Sequence, residues 1–288
     1  MRYQIKHETI LEFEGKVFEQ AGELRLMPRI QDYQTVLSFD IKLEPATELF
    51  HYDDAYGNRV DYFSILAPHQ SLKIQFQAEV ENRLANPFDF LPLEPKEEYR
   101  RIENLLNQEP RMNDFVLSSS RTVPSLPRLN SELVWPKRDS RANLLESIQA
   151  AMAWIAKHFT YVTGATQVHC PFDEVVAKRA GVCQDFSHLL IAIARSWGVP
   201  ARYVMGYQYL SPEALEKQGS ATHAWTEIYI PDQGWQGFDA TQQLLANQSY
   251  IPVAVGRDSH DAAPQRGCYK GGAAGIPPKI ELMIVAQQ

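Results

Sequence analysis

Cysteine is scarce in this chain: its 288 residues include only Cys170, Cys183 and Cys268. The number is odd, and no two of them form a C-x-x-C pair. Disulfide-stabilised small proteins and structural zinc sites both need paired cysteines, so the pattern argues against these two classes. We expect free thiols in a reducing compartment.

Long apolar runs and basic clusters are also missing. No stretch approaches the length of about 18 apolar residues that a membrane helix needs, and the opening segment MRYQIKHETILEFEG alternates polar with apolar residues. The formal net charge is -7, and lysine and arginine do not cluster. We therefore expect a cytoplasmic location, with neither nucleic acid nor membrane as a partner. Oligomeric state has no signal in the sequence.

The first third of the chain has the period-two pattern of antiparallel strands. In TVLSFDIKLEP (35–45) and LKIQFQAEVE (72–81), apolar residues alternate with polar ones, which predicts one buried face on each strand. The residues expected on these faces are Leu37, Phe39, Ile41 and Leu43 in the first run and Ile74, Phe76, Ala78 and Val80 in the second. Turn signals such as Tyr56-Gly57-Asn58 separate these runs, which is typical of a β-sandwich. Pro124, Pro127 and Pro136 then interrupt regular structure. We place a β-sandwich domain at 1–130 and a second domain, with a carboxy-terminal extension, at 131–288.

The second domain begins with helical spacing. Apolar residues between Leu144 and Phe159 recur at i, i+4 and i+7, with Ser140 or Asn143 as the N-cap. Another helix begins at Cys183 and is ended by Gly198 and Pro200. The strand-like segments ARYVMGYQY, THAWTEIYI and GWQGFDAT follow. The predicted class is therefore α+β, with Cys183 at a helix N-terminus.

Cys183 stands where a helix N-terminus stabilises a thiolate, the reactive form of cysteine. Two residues of the predicted strands could complete a catalytic triad with Cys183 as the nucleophile. His223 would act as the base, and Asp239 would hold the His223 imidazole in one tautomer. The backbone amide of Cys183 is the natural oxyanion donor, with Gln184 and Trp225 as candidate contacts to substrate or oxyanion. Each residue also has a structural alternative, because cysteine is often a small buried apolar residue and strand aromatics are usually core.

The triad constrains the hairpin between the last two of these strands. Side chains alternate along a strand, so His223 and Asp239 share a face only if the connecting loop has an odd number of residues. A three-residue connection, Pro231 to Gln233, pairs Ile230 with Gly234 and places the two side chains on a diagonal. A two-residue loop would turn them to opposite faces. We predict the three-residue connection or a compensating bulge.

Two segments, GVCQDFSHLLIAIARSWGVPARYVMGY and THAWTEIYIPDQGWQGFDAT, resemble in motif and spacing the transglutaminase-like (papain-type) superfamily. The resemblance is strongest over 140–245, in the bacterial branch that carries an amino-terminal β domain. DDAYGNRVDYFSIL upstream and VAVGRDSHDAAPQRGCYKGG downstream are similar to that branch too. The resemblance implies a helix bearing the nucleophile packed on an antiparallel sheet. It also implies a triad of Cys183, His223 and Asp239 that attacks a carboxamide or peptide carbonyl and forms a thioester.

These residues predict a transglutaminase-like cysteine peptidase or amidohydrolase acting on a peptide or protein substrate. Hydrolysis is favoured because water needs no second binding site. A transglutaminase that uses an amine acceptor is one alternative, and a non-catalytic binding or scaffold member of the fold is another. All three triad positions are occupied, which counts against the last. No calcium loop of the D-x-[DN]-x-[DN]-G type occurs, so we expect no metal and no cofactor.

Overall fold

The computed structural model describes residues 1–84, 86–87, 89–118, 120, 122–126, 133–211, 222–271 and 274–287. Pro127 and the predicted domain boundary at 130 lie outside the described residues. The helices are α1 (Pro95–Gln108), α2 (Leu144–His158), α3 (Phe172–Lys178) and α4 (Cys183–Ser196), with a 3-10 turn at Pro110–Phe115. The strands are β1 (Arg2–Leu24), β2 (Gln34–Glu44), β3 (Leu49–Asp53), β4 (Arg59–Ile65), β5 (His69–Asn82), β6 (Thr160–Tyr161), β7 (Ala180–Gly181), β8 (Ala201–Gln208), β9 (Thr222–Ile230), β10 (Gly234–Asp239), β11 (Leu244–Leu245), β12 (Tyr250–Gly256), β13 (Gln265–Lys270) and β14 (Lys279–Gln287).

Strand β1 is the central strand of a seven-stranded antiparallel sheet. Its first half, up to Glu12, pairs with β5 on one side and β14 on the other. Its second half pairs with β4 and β13. Strand β2 extends the sheet beyond β5, and β3 extends it beyond β4. The predicted α+β class and antiparallel amino-terminal domain are confirmed, with the two halves of the sheet joined through β1.

The predicted alternation holds on β5 and is interrupted on β2. The β5 residues expected to face the core are at most 3% exposed: Ile74, Phe76, Ala78 and Val80. On β2 the register shifts between Val36 and Ser38, which leaves Leu37 unpaired and 45% exposed. A bulge adds one residue to a strand and changes which side chains face inward. Leu37 was therefore wrongly assigned to the core.

The carboxy-terminal segment returns to the amino-terminal sheet. Strand β14 runs the length of the first half of β1, with Arg2 opposite Gln287 and Ile10 opposite Lys279. Strand β13 pairs with the second half of β1 and ends its register at Leu24 opposite Gln265. The segment expected as an extension of the second domain thus completes the sheet of the first.

The second sheet has five antiparallel strands in the order β11-β10-β9-β8-β12. Helix α4 packs on β9 and β8, and α2 packs on α4. Helix α2 begins with a capping box, in which Asn143 Oδ1 accepts from the Glu146 amide at 2.9 Å and Glu146 Oε2 accepts from the Asn143 amide at 3.1 Å. Among the described residues, no helix has both the length and the apolar character that crossing a membrane requires.

Side-chain amides of the first sheet bind the outer edge of β12. Asn58, fully buried, donates to the Val255 carbonyl at 2.7 Å and accepts from the Val255 amide at 2.8 Å. The side chains of Gln34 and Asn82 donate to two further β12 carbonyls, at 3.1 and 2.9 Å. Buried backbone groups need such partners, so these contacts fix the position of one sheet against the other.

Candidate active site

Helix α4 begins at Cys183, as predicted, and hydrogen bonds with the preceding loop hold its first turn in place. Asp185 Oδ2 accepts from the Val182 amide at 2.8 Å and from the Thr166 hydroxyl at 2.5 Å. A side chain at Gly181 would come within 2.6 Å of that carboxylate, so only glycine fits there. These contacts fix the helix start and therefore the place of the half-buried Cys183 thiol.

The hairpin between β9 and β10 has the predicted three-residue connection. Ile230 lies opposite Gly234, and the register continues to Thr226 opposite Phe238. Pro231 at the second position and a φ of 67° at Asp232 are the requirements of a type II turn, closed by the Gln233 amide on the Ile230 carbonyl at 3.0 Å. The prediction about the loop is confirmed, and it puts His223 diagonal to Asp239.

Asp239 is fully buried and uses both of its oxygens. Oδ2 lies 2.7 Å from His223 Nε2 and accepts from the Tyr250 hydroxyl at 2.8 Å. Oδ1 accepts from the backbone amides of Thr241 and Gln242, at 2.8 and 3.1 Å. With four donors around it, this carboxylate is fixed in place and is favoured in its ionised form.

The His223 imidazole lies 2.7 Å from Asp239 through Nε2 and interacts electrostatically with the nearby Cys183 side chain. Burial lowers the pKa of His223, but its interactions with Asp239 and Cys183 outweigh this effect and raise the pKa to about 10. Burial likewise raises the pKa of Asp239, and the bond to His223 brings it below the ordinary value. Both shifts favour an imidazolium paired with a carboxylate beside the thiol.

The thiol opens on a cavity of about 470 Å³, which we call the Cys183 cavity. Its floor is the inner face of the amino-terminal sheet: His7, Thr9, Leu11, Phe13 and Ile74. Its roof comes from the second sheet and α4: Cys183, Gln184, Tyr203, Met205 and His223. Residues between 259 and 269 and between 275 and 280 close the sides. Both sheets and the carboxy-terminal segment therefore build the space that a substrate would enter.

The two candidate substrate contacts have different positions. Gln184 lines the Cys183 cavity, so it stays a candidate. Trp225 does not: its side chain is 1% exposed and packs edge-on against Tyr250, with ring centroids 5.3 Å apart. It also packs with Val204 and Val255 in a separate apolar cluster behind His223. Trp225 is therefore a core residue, and its assignment to substrate or oxyanion was wrong.

The other histidines and cysteines near the site have different environments. His188 is buried, accepts from the Ser259 amide at 3.1 Å, and has a pKa lowered by burial to about 3. His169 lines the Cys183 cavity, bonds the Ser259 hydroxyl at 2.8 Å and stacks on His260. Cys170 is buried, which raises its pKa to about 11. Over the described part of the chain, no group of three or more histidine, cysteine, aspartate or glutamate side chains could hold a metal ion.

The floor of the Cys183 cavity is the part of the site that sequence reasoning missed. His7 and Thr9 occupy inward positions of β1, where the alternation leads one to expect apolar residues. The signal present in the sequence was a pair of polar residues at positions of the strand where the alternation places buried side chains. Their partner across the cavity, Cys183, is far away in the sequence, so spacing gave no link between them.

Comparison with known proteins agrees with this architecture. The family model of the transglutaminase-like superfamily matches residues 132–240, and that of the bacterial transglutaminase-like N-terminal region matches 3–81. An uncharacterized protein of Mycobacterium leprae is 30% identical over an alignment of 292 positions, which covers 99% of this chain and 99% of that one. A protein-glutamine gamma-glutamyltransferase of Pseudomonas aeruginosa is 27% identical over 82% of this chain and 35% of its own length.

Among solved structures, a candidate cysteine protease from Cytophaga hutchinsonii has the same fold. Its TM-score is 0.66 at 20% sequence identity, and the match covers 100% of this chain and 92% of that one. The likeness extends over both sheets and is therefore not confined to the region around Cys183. The two family models and the relative that matches over 99% of its length show that the chain belongs to the transglutaminase-like superfamily, and the fold agrees with this.

Proposed function

We propose that this protein is a cysteine-dependent acyl-transfer enzyme that hydrolyses peptide or carboxamide bonds through a thioester. One observation carries the proposal. The His223 imidazole bonds the buried Asp239 carboxylate and interacts with the Cys183 side chain, and both Cys183 and His223 line one cavity. A purely structural cysteine would need neither a charged imidazole partner nor access to such a space.

The proposed reaction begins from a Cys183 thiolate beside the His223 imidazolium, which holds the proton that the thiol has given up. The Cys183 thiolate attacks the substrate carbonyl carbon, and the developing oxyanion accepts a hydrogen bond from the Cys183 backbone amide. The His223 imidazolium then gives its proton to the leaving amine as the carbon–nitrogen bond breaks, which leaves a thioester. His223 next takes a proton from water, the hydroxide displaces the thiolate, and the acid product departs. Asp239 stabilises the imidazolium before each proton is given up.

Hydrolysis is the simpler outcome because water reaches an open cavity without a binding site of its own. The similarity to a protein-glutamine gamma-glutamyltransferase makes amine transfer the second candidate. In that reaction a primary amine takes the place of water, attacks the same thioester and forms a new amide. The two reactions share every step up to the thioester, so only the acceptor separates them.

Incubation with peptide pools tests the proposal. With no amine added, we expect new amino groups or free ammonia, measured by amine derivatisation and mass spectrometry, and none with Cys183→Ala. Product that forms only after a primary amine is supplied would favour the transferase. If neither reaction occurs in either condition, the chain is better described as a binding member of the fold.

A further inference from the structure

Tyr250, a side chain that the proposed chemistry does not use, binds the triad carboxylate from β12. Its hydroxyl lies 2.8 Å from Asp239 Oδ2, and the same oxygen lies 2.7 Å from His223 Nε2. The other oxygen, Oδ1, already accepts from the Thr241 and Gln242 amides. A carboxylate oxygen has two lone pairs, so Oδ2 divides its accepting capacity between the imidazole and the phenol.

Contacts from both sheets hold the phenol in this position. Tyr250 is 2% exposed and packs edge-on against Trp225, with ring centroids 5.3 Å apart. Its backbone carbonyl accepts from the Asn82 side chain at the end of β5 at 2.9 Å, and its amide donates to the Asn247 carbonyl at 3.0 Å. A buried hydroxyl that turned away from Asp239 would lose its hydrogen bond. We therefore treat the phenol as a fixed partner of Oδ2.

The hydroxyl acts as a donor in this contact. Burial raises the pKa of Tyr250 and the Asp239 charge raises it further, so the phenol stays protonated at physiological pH. Burial also raises the pKa of Asp239, but bonds from His223, Gln242 and Tyr250 bring it below its ordinary value. A hydrogen bond to the ionised form of a carboxylate stabilises that form. The carboxylate that Tyr250 binds is thus a weaker base toward His223 than it would be without the hydroxyl.

We propose that Tyr250 is a positioning residue of the triad, whose hydroxyl holds Asp239 Oδ2 and limits how strongly that oxygen binds the His223 imidazolium. The proton that His223 gives to the leaving amine is then easier to release. This consequence rests on the proposed function, but the effect on the bond between His223 and Asp239 does not. The amino-terminal sheet takes part through Asn82, which holds the backbone of Tyr250.

Tyr250→Phe tests the proposal, because it removes the hydroxyl and keeps the ring. His223 then no longer shares Oδ2 with the phenol, so its bond to Asp239 should strengthen. In proton magnetic resonance spectra, the His223 Nε2 proton should move downfield, since a proton in a shorter ionic hydrogen bond is less shielded. Titration of ¹⁵N-labelled histidine should place the pKa of His223 about one unit higher. At pH 10 about half of His223 is protonated in the unmodified protein, and about nine-tenths should be in the variant.

The other groups around His223 are the same in this variant. Cys183 on α4, Asp239 on β10 and Tyr250 on β12 face the imidazole. Tyr161 on β6 interacts electrostatically with Cys183 and Asp239. Of these groups, Tyr250→Phe changes the phenol alone. A shift in the pKa of His223 therefore reports the loss of the hydroxyl.

The direction of the shift separates this role from simple support of the fold. If the hydroxyl only held Asp239 in place, its loss would let the carboxylate move away from His223. The Nε2 proton would then move upfield and the pKa of His223 would fall. That result, or no change in either signal of a folded Tyr250→Phe protein, would overturn the inference.

Tyr207→Phe is the matched control. Tyr207 is also buried, on β8, and its hydroxyl donates to the Leu26 carbonyl at 3.4 Å rather than to the triad. This change should leave the Nε2 proton and the pKa of His223 as they were. An equal shift in Tyr207→Phe would show that any lost buried hydroxyl moves His223, and the specific role of Tyr250 would fall.

One measurement needs no variant at all. In the unmodified protein the Tyr250 hydroxyl proton and the His223 Nε2 proton both point at Asp239 Oδ2. A nuclear Overhauser effect should therefore connect these two protons. Its absence would overturn the inference even if Tyr250→Phe does not fold.

Turnover of peptide amides separates this role from the proposed function. If Tyr250→Phe shifts His223 as expected and the unmodified protein turns over no amide, the proposed function fails and the role of Tyr250 stands. Turnover by the unmodified protein, with His223 unchanged in Tyr250→Phe, would remove the role of Tyr250 and leave the proposed function. If both proposals hold, kcat of Tyr250→Phe should fall about threefold, because the imidazolium is a weaker acid.

Discussion

Replacing Asp239 by asparagine should separate orientation of His223 from its charge. The asparagine carbonyl can still accept from the Thr241 and Gln242 amides, as Oδ1 does now. Its NH₂ group would stand where Oδ2 accepts from His223 and from the Tyr250 hydroxyl, and it cannot accept from either. The fold around the turn should therefore survive, while the imidazolium loses its acceptor.

The size of the effect follows from the charge state of His223. A pKa of about 10 against an ordinary 6.5 corresponds to at most about 5 kcal/mol in favour of the imidazolium. At pH 8 about 99% of a group with the raised pKa is protonated, against about 3% of one at 6.5. Without the carboxylate, burial is the largest remaining influence, and it lowers the pKa of His223. Triad enzymes that lose this carboxylate lose about 10⁴-fold in kcat, and we expect the same here.

Nuclear magnetic resonance of ¹⁵N-labelled histidine measures this directly, with the His223 signal assigned from His223→Gln. We expect His223 to stay protonated through pH 8 in the unmodified protein and to titrate below 6.5 in Asp239→Asn. Glu227→Gln is the control, because Glu227 is also buried on β9 but pairs with Arg202 at 2.6 Å. A His223 that titrates near 6.5 in all three proteins would refute the reasoning.

Two further predictions concern reactivity and stability. Cys183 should react with iodoacetamide near pH 7 faster than the buried Cys170 or the exposed Cys268, and peptide mapping that finds Cys268 modified first would contradict the assignment. Asn58→Leu leaves both backbone groups of Val255 without a partner, so it should lower the free energy of unfolding by about 3 kcal/mol and Tm by about 6 to 12 °C. Thermal unfolding followed by circular dichroism checks this, with the exposed Asn107→Leu as the control that should show no loss.

Local pattern predicted much of the second domain. The apolar spacing after Cys183 and the stop signal at Gly198 predicted the bounds of helix α4. The length of the loop between β9 and β10 followed from side-chain alternation alone. Position along β9 could not show whether a side chain on the same face as His223 would line the cavity or be buried in the core. Trp225 shares the His223 phase of β9 but packs under Tyr250, which comes from a later strand.

Long-range pairing was beyond such reasoning. Nothing in the alternation of the first residues indicated that Arg2 would lie opposite Gln287, because register between distant segments depends on the whole fold. The bulge that exposes Leu37 was hidden for the same reason. The floor of the Cys183 cavity depends on that long-range sheet, so the triad could be predicted from sequence and the surface facing it could not.

The pairing of β1 with β14 also sets an order of events during synthesis. When a ribosome has translated Cys183, residues 2–10 still lack the neighbour that arrives only with residues 279–287. From residue 183 to 287, at about 5 to 20 residues per second, that wait lasts about 5 to 20 s. During this time one side of β1 is an open edge able to join other chains. The Cys183 thiol is thus translated before the strand that completes the sheet beneath it, and over that interval the amino-terminal half of β1 has an unpaired edge.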